Sequence, residues 1–228
     1  MEHKKLNKII KTIIYSVIFI GMFLMLSLST VNANDTEEVS VKFIEDTEQL
    51  IEEPDIYEIK QKEILHKQKE LLNIQDNKEY FLEYKKLINE YSEWFDPPES
   101  IYDYYTEEEL DLLFRTVEAE ATAGGFNEKA NVASVIFNRI EHEKFGVTLG
   151  EVLVAHQFSP LADGRADDIT ITEDTILACE YVFQIADTTG GAIYFESKDS
   201  NVHAVYAEFL FQDEIGHKFY KEAITDGE

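Results

Sequence analysis

Two acidic side chains near the middle of the chain have the clearest capacity for chemistry. They are Glu118 and Glu120, in the segment Val117-Glu-Ala-Glu-Ala121. A carboxyl group that keeps its proton near neutral pH can act as a general acid, and burial among apolar side chains raises the pKa of a carboxyl in this way. Residues two apart on a helix point in nearly opposite directions, so only one of the two can face a cleft. The pair alone predicts either one functional acid or two solvated helix charges.

Other common catalytic patterns do not occur in the sequence. It contains no His-Glu-x-x-His, no Gly-x-Ser-x-Gly and no glycine-rich phosphate loop. His142, His156, His203 and His217 are scattered, without the i, i+4 spacing that suits a metal ion on one helix face. We therefore expect no metal site and no cofactor. The single cysteine, Cys179, rules out an intrachain disulfide and falls on the apolar face of a predicted helix, which indicates a buried thiol and not a nucleophile.

Composition narrows the class of partner. The chain has 228 residues and is 44% hydrophobic, which is enough to bury a core. Its 46 acidic and 20 basic side chains give a formal net charge of -26. Such a surface lacks the clustered Lys and Arg that bind a phosphate backbone, so we exclude nucleic acid as a partner.

The two acids must be positioned by a mainly helical segment. Capping and spacing signals predict four helices, which begin at Thr106, at Asn127 or Glu128, at Thr148 and at Thr172. The first is expected to end at Gly124-Gly125, the second to be stopped by Gly146 and the fourth to end at about Asp187. The third is expected to be short, with Glu151 as its capping partner. Two apolar and aromatic runs, 192–195 and 202–211, predict strands. The expected fold class is α+β, a predominantly helical domain with a small antiparallel sheet.

The first 33 residues have the pattern of an export signal. Lysines at positions 4, 5, 8 and 11 precede an uncharged run, and the small residues Val31 and Ala33 stand where a signal peptidase cuts. Residues 1–33 are therefore predicted to be a signal peptide. The alternative is an uncleaved anchor formed by residues 9–28, since the apolar run approaches the length that spans a bilayer. In both cases the rest of the chain is expected to be extracytoplasmic.

Residues 34–105 are predicted to form an extension before the main domain, 106–228. Its first part is acidic with few large apolar residues, which is typical of a solvated tether. Residues 56–95 carry aromatic and aliphatic residues at helical spacing, and Asp96-Pro97-Pro98 interrupts that pattern. This segment is expected to be helical, either as a spacer, pro-region or protein-binding arm, or as extra helices packed on the domain.

Five blocks of sequence then occur in a fixed order. They are Arg115–Ala121, Ala130–Arg139, Gln157–Pro160, Gly191–Phe195 and Ile215–Tyr220. Together they resemble the spore cortex-lytic and cell wall hydrolase family (SleB/CwlJ type), whose enzymes cut the glycan strands of peptidoglycan. The resemblance covers about residues 106 to 222, and five ordered blocks are more specific than any one of them.

The resemblance implies a lysozyme-like fold with one catalytic glutamate, which here is Glu120. Glu118 stands where many relatives have Tyr, so we assign it a supporting role, in a pair with Arg115 or Arg139. Arg139 is likewise expected to support the site. The predicted substrate is peptidoglycan, and the predicted location is the cell wall.

The resemblance also implies a substrate-binding surface. Its residues are Gln157, Phe158, Ser159, Tyr194, Phe195 and His217. His217 matches the last block with a shift of one residue, and Glu196-Ser197 departs from the Tyr-Asn that often follows the aromatic pair. Both departures concern sugar binding more than catalysis.

A single glutamate limits the mechanism. Most glycosidases use a second carboxylate, at roughly 5 to 5.5 Å or farther, and the blocks place none. The oxocarbenium-like intermediate is then captured by the 6-hydroxyl of the same muramic sugar, with Glu120 as the base, which is the reaction of a lytic transglycosylase. If Asp163 or its neighbours Asp167 and Asp168 reach the cleft, hydrolysis by water replaces it. The alternative from another class is a catalytically idle protein that binds glycan or a partner on the same fold.

Overall fold

The computed structural model describes residues 56–94, 98–142 and 144–223. The predicted signal peptide (1–33), the alternative anchor (9–28) and the acidic tether lie outside the described residues. From Lys60 onward the described residues form one compact unit. Within the described ranges, no helix is both long and apolar enough to cross a membrane.

Helices make up most of the described chain. They are α1 (Ile56–Leu71), α2 (Asn77–Glu90), α3 (Ile101–Tyr104), α4 (Glu107–Glu120), α5 (Phe126–Ile140), α6 (Leu149–Val152), α7 (Ser159–Asp163) and α8 (Glu173–Gln184). The predicted capping box is confirmed at the start of α4, where the Thr106 side chain accepts from the Glu109 backbone and the Glu109 side chain accepts from that of Thr106. Thr148 is the N-cap of α6, as predicted, and its side chain accepts from the Glu151 N–H.

Four helix bounds differ from the prediction. Helix α4 ends at Glu120, before the expected Gly124-Gly125, and α5 ends at Ile140, well before Gly146. Helix α5 begins at Phe126 because Gly125 is its N-cap, and the Glu128 carboxylate accepts from the Gly125 N–H at 2.9 Å. Helix α8 ends at Gln184, before the predicted Asp187. Asp187 is used in the next turn instead, where its carboxylate accepts from the N–H groups of Thr189 and Gly191 at 2.8 and 2.6 Å. Asp and Asn favour such local turns over helix interiors.

A three-stranded antiparallel sheet follows the helices, and its strands lie in the order β1-β3-β2. Its strands are β1 (Tyr194–Glu196), β2 (Ala207–Gln212) and β3 (Lys218–Glu222). The predicted strand 202–211 is divided, because His203–Val205 form a 3-10 turn before β2 begins. The expectation of an α+β fold, mainly helical with a small antiparallel sheet, is confirmed.

The core is built from α4, α5 and α8, and α2 contributes to it. Phe81 of α2 has no exposed surface, belongs to the same apolar cluster and meets the Tyr181 ring edge-on at 5.6 Å. Of the roles considered for residues 56–95, packing on the domain is the one that this contact supports. The division of the chain at residues 105 and 106 stays a prediction. Cys179 is fully buried, as predicted, and burial raises the pKa of its thiol.

Candidate active site

Glu120 is the last residue of α4, and its side chain is half buried beside the start of α7. Burial raises the pKa of its carboxyl group above the ordinary value. The charges of Arg165 and Arg139, the nearby His217 ring and a hydrogen bond from the Ser159 backbone oppose this effect but do not reverse it. Glu120 is therefore an acid that holds its proton to a higher pH than a solvated glutamate does.

Three of the residues predicted for the site thus lie around Glu120. They are Arg139, Ser159 and His217, and each affects the Glu120 carboxyl. Arg165, which the sequence did not single out, does the same. Its guanidinium donates to the Ser159 hydroxyl at 2.8 Å and to Asp163 at 2.8 Å. The available sequence signal was a lone base in an acidic loop directly after the Gln157–Pro160 block.

Glu118 faces the opposite side of α4 and is buried. Its carboxylate accepts from the Lys129 ammonium at 2.9 Å, from the Thr172 N–H at 3.0 Å and from the Thr172 and Thr175 hydroxyls. Burial acts against ionisation, but the hydrogen bonds from Thr175, Lys129 and Thr172 outweigh it and lower the pKa of Glu118 to about 2. Glu118 is a permanent anion that ties α4 to α5 and to the first turn of α8.

The predicted partners of Glu118 were wrong. Arg115 instead binds Asp111 at 2.7 Å and the carbonyl oxygens of Asp167 and Ile169 at 3.0 and 3.3 Å, so it fixes the loop that precedes α8. Arg115 is one helical turn before Glu118, but its guanidinium is already bound to Asp111 and to the loop, while Lys129 comes from α5 and meets Glu118 inside the core. Sequence spacing reveals helix neighbours, but it does not reveal a partner on another helix.

Arg139 is buried and contacts several residues of the site. Its Nε donates to the Ile193 carbonyl at 2.7 Å and its Nη1 to the Gln157 side-chain oxygen at 3.2 Å. The guanidinium stacks 4.8 Å from the Phe145 ring centre and 5.0 Å from that of Phe158. Burial lowers the pKa of Arg139 to about 10, and Tyr194, Glu120 and Tyr206 act in the other direction. Arg139 and Glu120 interact through their charges, and the supporting role of Arg139 stays a prediction.

The block Gln157–Ser159 has three different environments. Gln157 is half buried and Ser159 is exposed. Because the Gln157 oxygen accepts from Arg139, its amide nitrogen remains as a donor on the other side. Phe158 has no exposed surface and packs 6.3 Å from the Phe195 ring. A side chain without exposed surface offers no face to a sugar, so the expectation of direct substrate contact is wrong for Phe158.

Aromatic side chains form a wall next to these residues. Tyr194 stacks on the His203 ring at 4.9 Å and meets Tyr206 edge-on at 5.7 Å. Phe195 is half buried and lies 5.4 Å from the His217 ring. Tyr206 is 53% exposed, so its ring presents the most accessible face of the group. The predicted aromatic residues and His217 are therefore neighbours in space.

Glu196, which replaces the Tyr found in many relatives after the aromatic pair, has a structural role. Its side chain is buried and accepts from the Tyr220 hydroxyl at 2.7 Å, the Ser200 hydroxyl at 2.7 Å and the Val202 N–H at 2.8 Å. Burial raises the pKa of Glu196, but these bonds outweigh it and the net pKa is lowered. Glu196 thus holds the loop that carries His203.

The acids after Ser159 are not grouped as metal ligands. Asp163 is paired with Arg165, and that pairing lowers the pKa of the Asp163 carboxyl. Across the ranges that the structure describes, no group of three or more His, Cys, Asp or Glu side chains is arranged to hold a metal ion.

The chain is similar to known proteins in part of its sequence and in its structure. Residues 124–220 match the sequence model of a family described as Cell Wall Hydrolase. A solved structure of the catalytic domain of the germination-specific lytic transglycosylase SleB from Bacillus anthracis is similar, with 24% identity over 53% of this chain and 100% of that chain and a TM-score of 0.47. The catalytic domain of SleB from Bacillus cereus is 26% identical over 51% of this chain and 92% of that chain, with a TM-score of 0.45. No match was found among curated proteins.

Proposed function

We propose that Glu120 performs the chemistry of this chain, whose residues 124–220 are those of a cell wall hydrolase. That match supports the resemblance found in the sequence and the expectation of an enzyme that acts on the cell wall. The match begins at residue 124, so Glu120 lies just before it. The role of Glu120 rests on the environment of its carboxyl group.

The observation that carries the proposal is the half-buried position of Glu120 at the end of α4, beside Arg139, Arg165 and the Ser159 backbone, where burial raises the pKa of its carboxyl group. Cleavage of a glycosidic bond needs a proton on the leaving oxygen, and an acid that is still protonated near neutral pH supplies it. When the proton leaves, the carboxylate that remains is stabilised by the positive charges of Arg139 and Arg165 and by the hydrogen bond from the Ser159 backbone. The same group is then ready to act as a base.

The charges around Glu120 favour a lytic transglycosylase. Two arginines, Arg165 and Arg139, act on the Glu120 carboxyl and lower its pKa, whereas a second carboxylate at about 5 to 5.5 Å would raise it. In the proposed reaction the bond between C1 of the muramic sugar and the leaving oxygen breaks, and Glu120 gives its proton to that oxygen. The 6-hydroxyl of the same sugar then bonds to C1, and its proton returns to Glu120.

Peptidoglycan is anionic, and a chain of net charge -26 repels it at long range. The glycan must therefore be bound by local contacts. We propose that Tyr194 and Tyr206 supply faces for sugar rings and that the Gln157 amide donates to a sugar oxygen. Ser159 and His217 both act on the Glu120 carboxyl, so they connect the predicted binding surface to the acid. Binding of this kind depends on shape and hydrogen bonds, so its affinity changes little with salt concentration.

Product analysis tests the proposal. The full-length protein is incubated with purified peptidoglycan, and the soluble muropeptides are identified by mass spectrometry. Anhydromuramic ends are expected, and new reducing ends would mean that water is the acceptor and that a second carboxylate takes part. Retained binding to several glycan preparations without any product would show a catalytically idle glycan-binding protein and would contradict the proposal.

A further inference from the structure

Asp213 organises the turn between β2 and β3, which carries His217. Its N–H donates to the His217 carbonyl at 2.9 Å, and its carbonyl accepts from the Gly216 N–H at 3.2 Å. One carboxylate oxygen, Oδ1, accepts from the His217 N–H at 2.7 Å. Gly216 has a φ of +96°, which an L side chain rarely adopts, and this lets the chain turn back within four residues. Asp213 therefore fixes the backbone of His217 from both sides.

The second oxygen of Asp213 has no hydrogen-bond partner, and neither has Nδ1 of His217. Both atoms are buried, and within the described residues they are the buried side-chain polar atoms left unpaired. They lie 3.5 Å apart, and the side chains are 3% and 14% exposed for Asp213 and His217. Buried polar atoms are almost always hydrogen-bonded, and bonds at catalytic sites are often long until substrate is bound. Each atom is thus the natural partner of the other.

The rest of the ring is held by aromatic contacts. Phe195 of β1 lies 5.4 Å from the imidazole centre and Phe219 of β3 lies 6.3 Å from it. With Nδ1 turned to Asp213, Nε2 is the nitrogen left for Glu120 or a sugar hydroxyl. His217, Arg165 from the loop after α7 and Arg139 from α5 all act on the Glu120 carboxyl, so the ring lies close enough to influence it.

We propose that Asp213 is a positioning residue for the reaction. It accepts a hydrogen bond from Nδ1–H of His217, which fixes the tautomer in which Nε2 is an acceptor directed toward Glu120 and the substrate. A carboxylate behind an imidazole fixes the ring and its tautomer in this way in other enzymes. The sequence pattern gave no sign of Asp213, because its role depends on the turn that brings it back to His217. This inference rests on the proposed function of Glu120 only for its kinetic test.

The Asp213→Asn variant gives the critical change. Asparagine keeps an oxygen for the His217 N–H, but its NH2 group replaces the oxygen that faces Nδ1. The ring should then adopt the other tautomer, with the proton on Nε2. A donor directed at Glu120 favours its ionised form, so the alkaline limb of the pH–rate profile should move to lower pH by about half a unit or more.

Two measurements test this on the full-length protein. The first is ¹⁵N NMR of the histidine rings, with His217 assigned by its loss in His217→Phe. Wild type should show the proton on Nδ1 and Asp213→Asn should show it on Nε2. The second is the rate of muropeptide release from purified peptidoglycan against pH for wild type, Asp213→Asn, His217→Phe and the double variant.

The outcomes separate the inference from the proposed function. The shift caused by Asp213→Asn should disappear when His217 is already Phe, because Asp213 acts through the ring. A wild-type ring protonated on Nε2 would overturn the inference, as would a shift that persists in the His217→Phe background. If wild type releases no muropeptides, the proposed function fails, while the NMR measurement still decides the role of Asp213.

Discussion

Glu118 and Glu120 lie two residues apart at the end of α4, and their carboxyl groups have opposite electrostatic environments. Glu118 accepts hydrogen bonds from Lys129, Thr172 and Thr175, which lower its pKa to about 2 despite burial. Burial raises the pKa of Glu120, and no comparable set of hydrogen bonds compensates for it. One helix end therefore holds a permanent anion that joins three helices and an acid that is able to release its proton during a reaction.

The pair of Glu118 and Lys129 predicts a strong stability effect. Lys129→Met leaves a buried carboxylate without its cation, and we expect the free energy of unfolding to fall by about 3 to 5 kcal/mol. The double variant Glu118→Leu/Lys129→Met removes both charges, and it should recover most of this loss because neither charge remains buried. Urea unfolding followed by circular dichroism measures both. The single variant Glu118→Leu completes the comparison. If the double variant loses as much stability as the two single variants together, the pair does not act as a unit.

The low pKa of Glu118 predicts a loss of stability in acid. The folded-state pKa of about 2 is below the ordinary value of 4.5, so the stabilisation is complete above pH 4.5 and is lost as the pH falls toward 2. By linkage it amounts to roughly 3 kcal/mol. Unfolding free energies measured across this interval should fall more steeply for wild type than for Glu118→Leu/Lys129→Met. Equal slopes would mean that other carboxylates cause the acid sensitivity.

Much of this arrangement could be predicted from the sequence. The capping box at Thr106 fixed the start of α4, and helical spacing showed that Glu118 and Glu120 cannot share a cleft. The ordered blocks brought Arg139, Ser159 and His217 to Glu120. Lys129 was missed because its partner Glu118 lies on another helix. Arg165 and Asp213 were missed because loop and turn geometry, which no residue spacing records, brings them to Ser159 and His217. Phe158 was assigned to the substrate surface because a block shows which residues recur but not which way they face.

Arg165 is expected to tune Glu120 through its charge. Arg165→Gln removes a positive charge that lowers the pKa of Glu120, so the alkaline limb of the pH–rate profile should move to higher pH. The shift should be less than about one unit, because the Arg165 side chain is 55% exposed and solvent screens its charge. Arg165→Lys keeps the charge and is the matched control. A shift of the same size in both variants would show that the charge is not the cause.

Phe81 is expected to join α2 to the domain energetically. Phe81→Ala removes a fully buried ring, and we expect a loss of about 3 to 5 kcal/mol in the free energy of unfolding. Leu82→Ala, next to it on α2, removes a side chain that is 38% exposed and should cost far less. A single cooperative transition is expected in both. A separate early transition in Phe81→Ala alone, with the main transition unchanged, would show that α2 folds independently of the core.

The central claim is that one glutamate at the end of α4 cleaves the glycan, and Glu120→Gln tests it most directly. Glutamine keeps the shape of the side chain but cannot give or take the proton. Release of anhydromuropeptides from purified peptidoglycan should fall by about 100-fold or more, while circular dichroism and the melting temperature show an intact fold. Glu108→Gln, at an exposed position on the same helix, should retain wild-type activity. Release at the wild-type rate by folded Glu120→Gln would contradict the account.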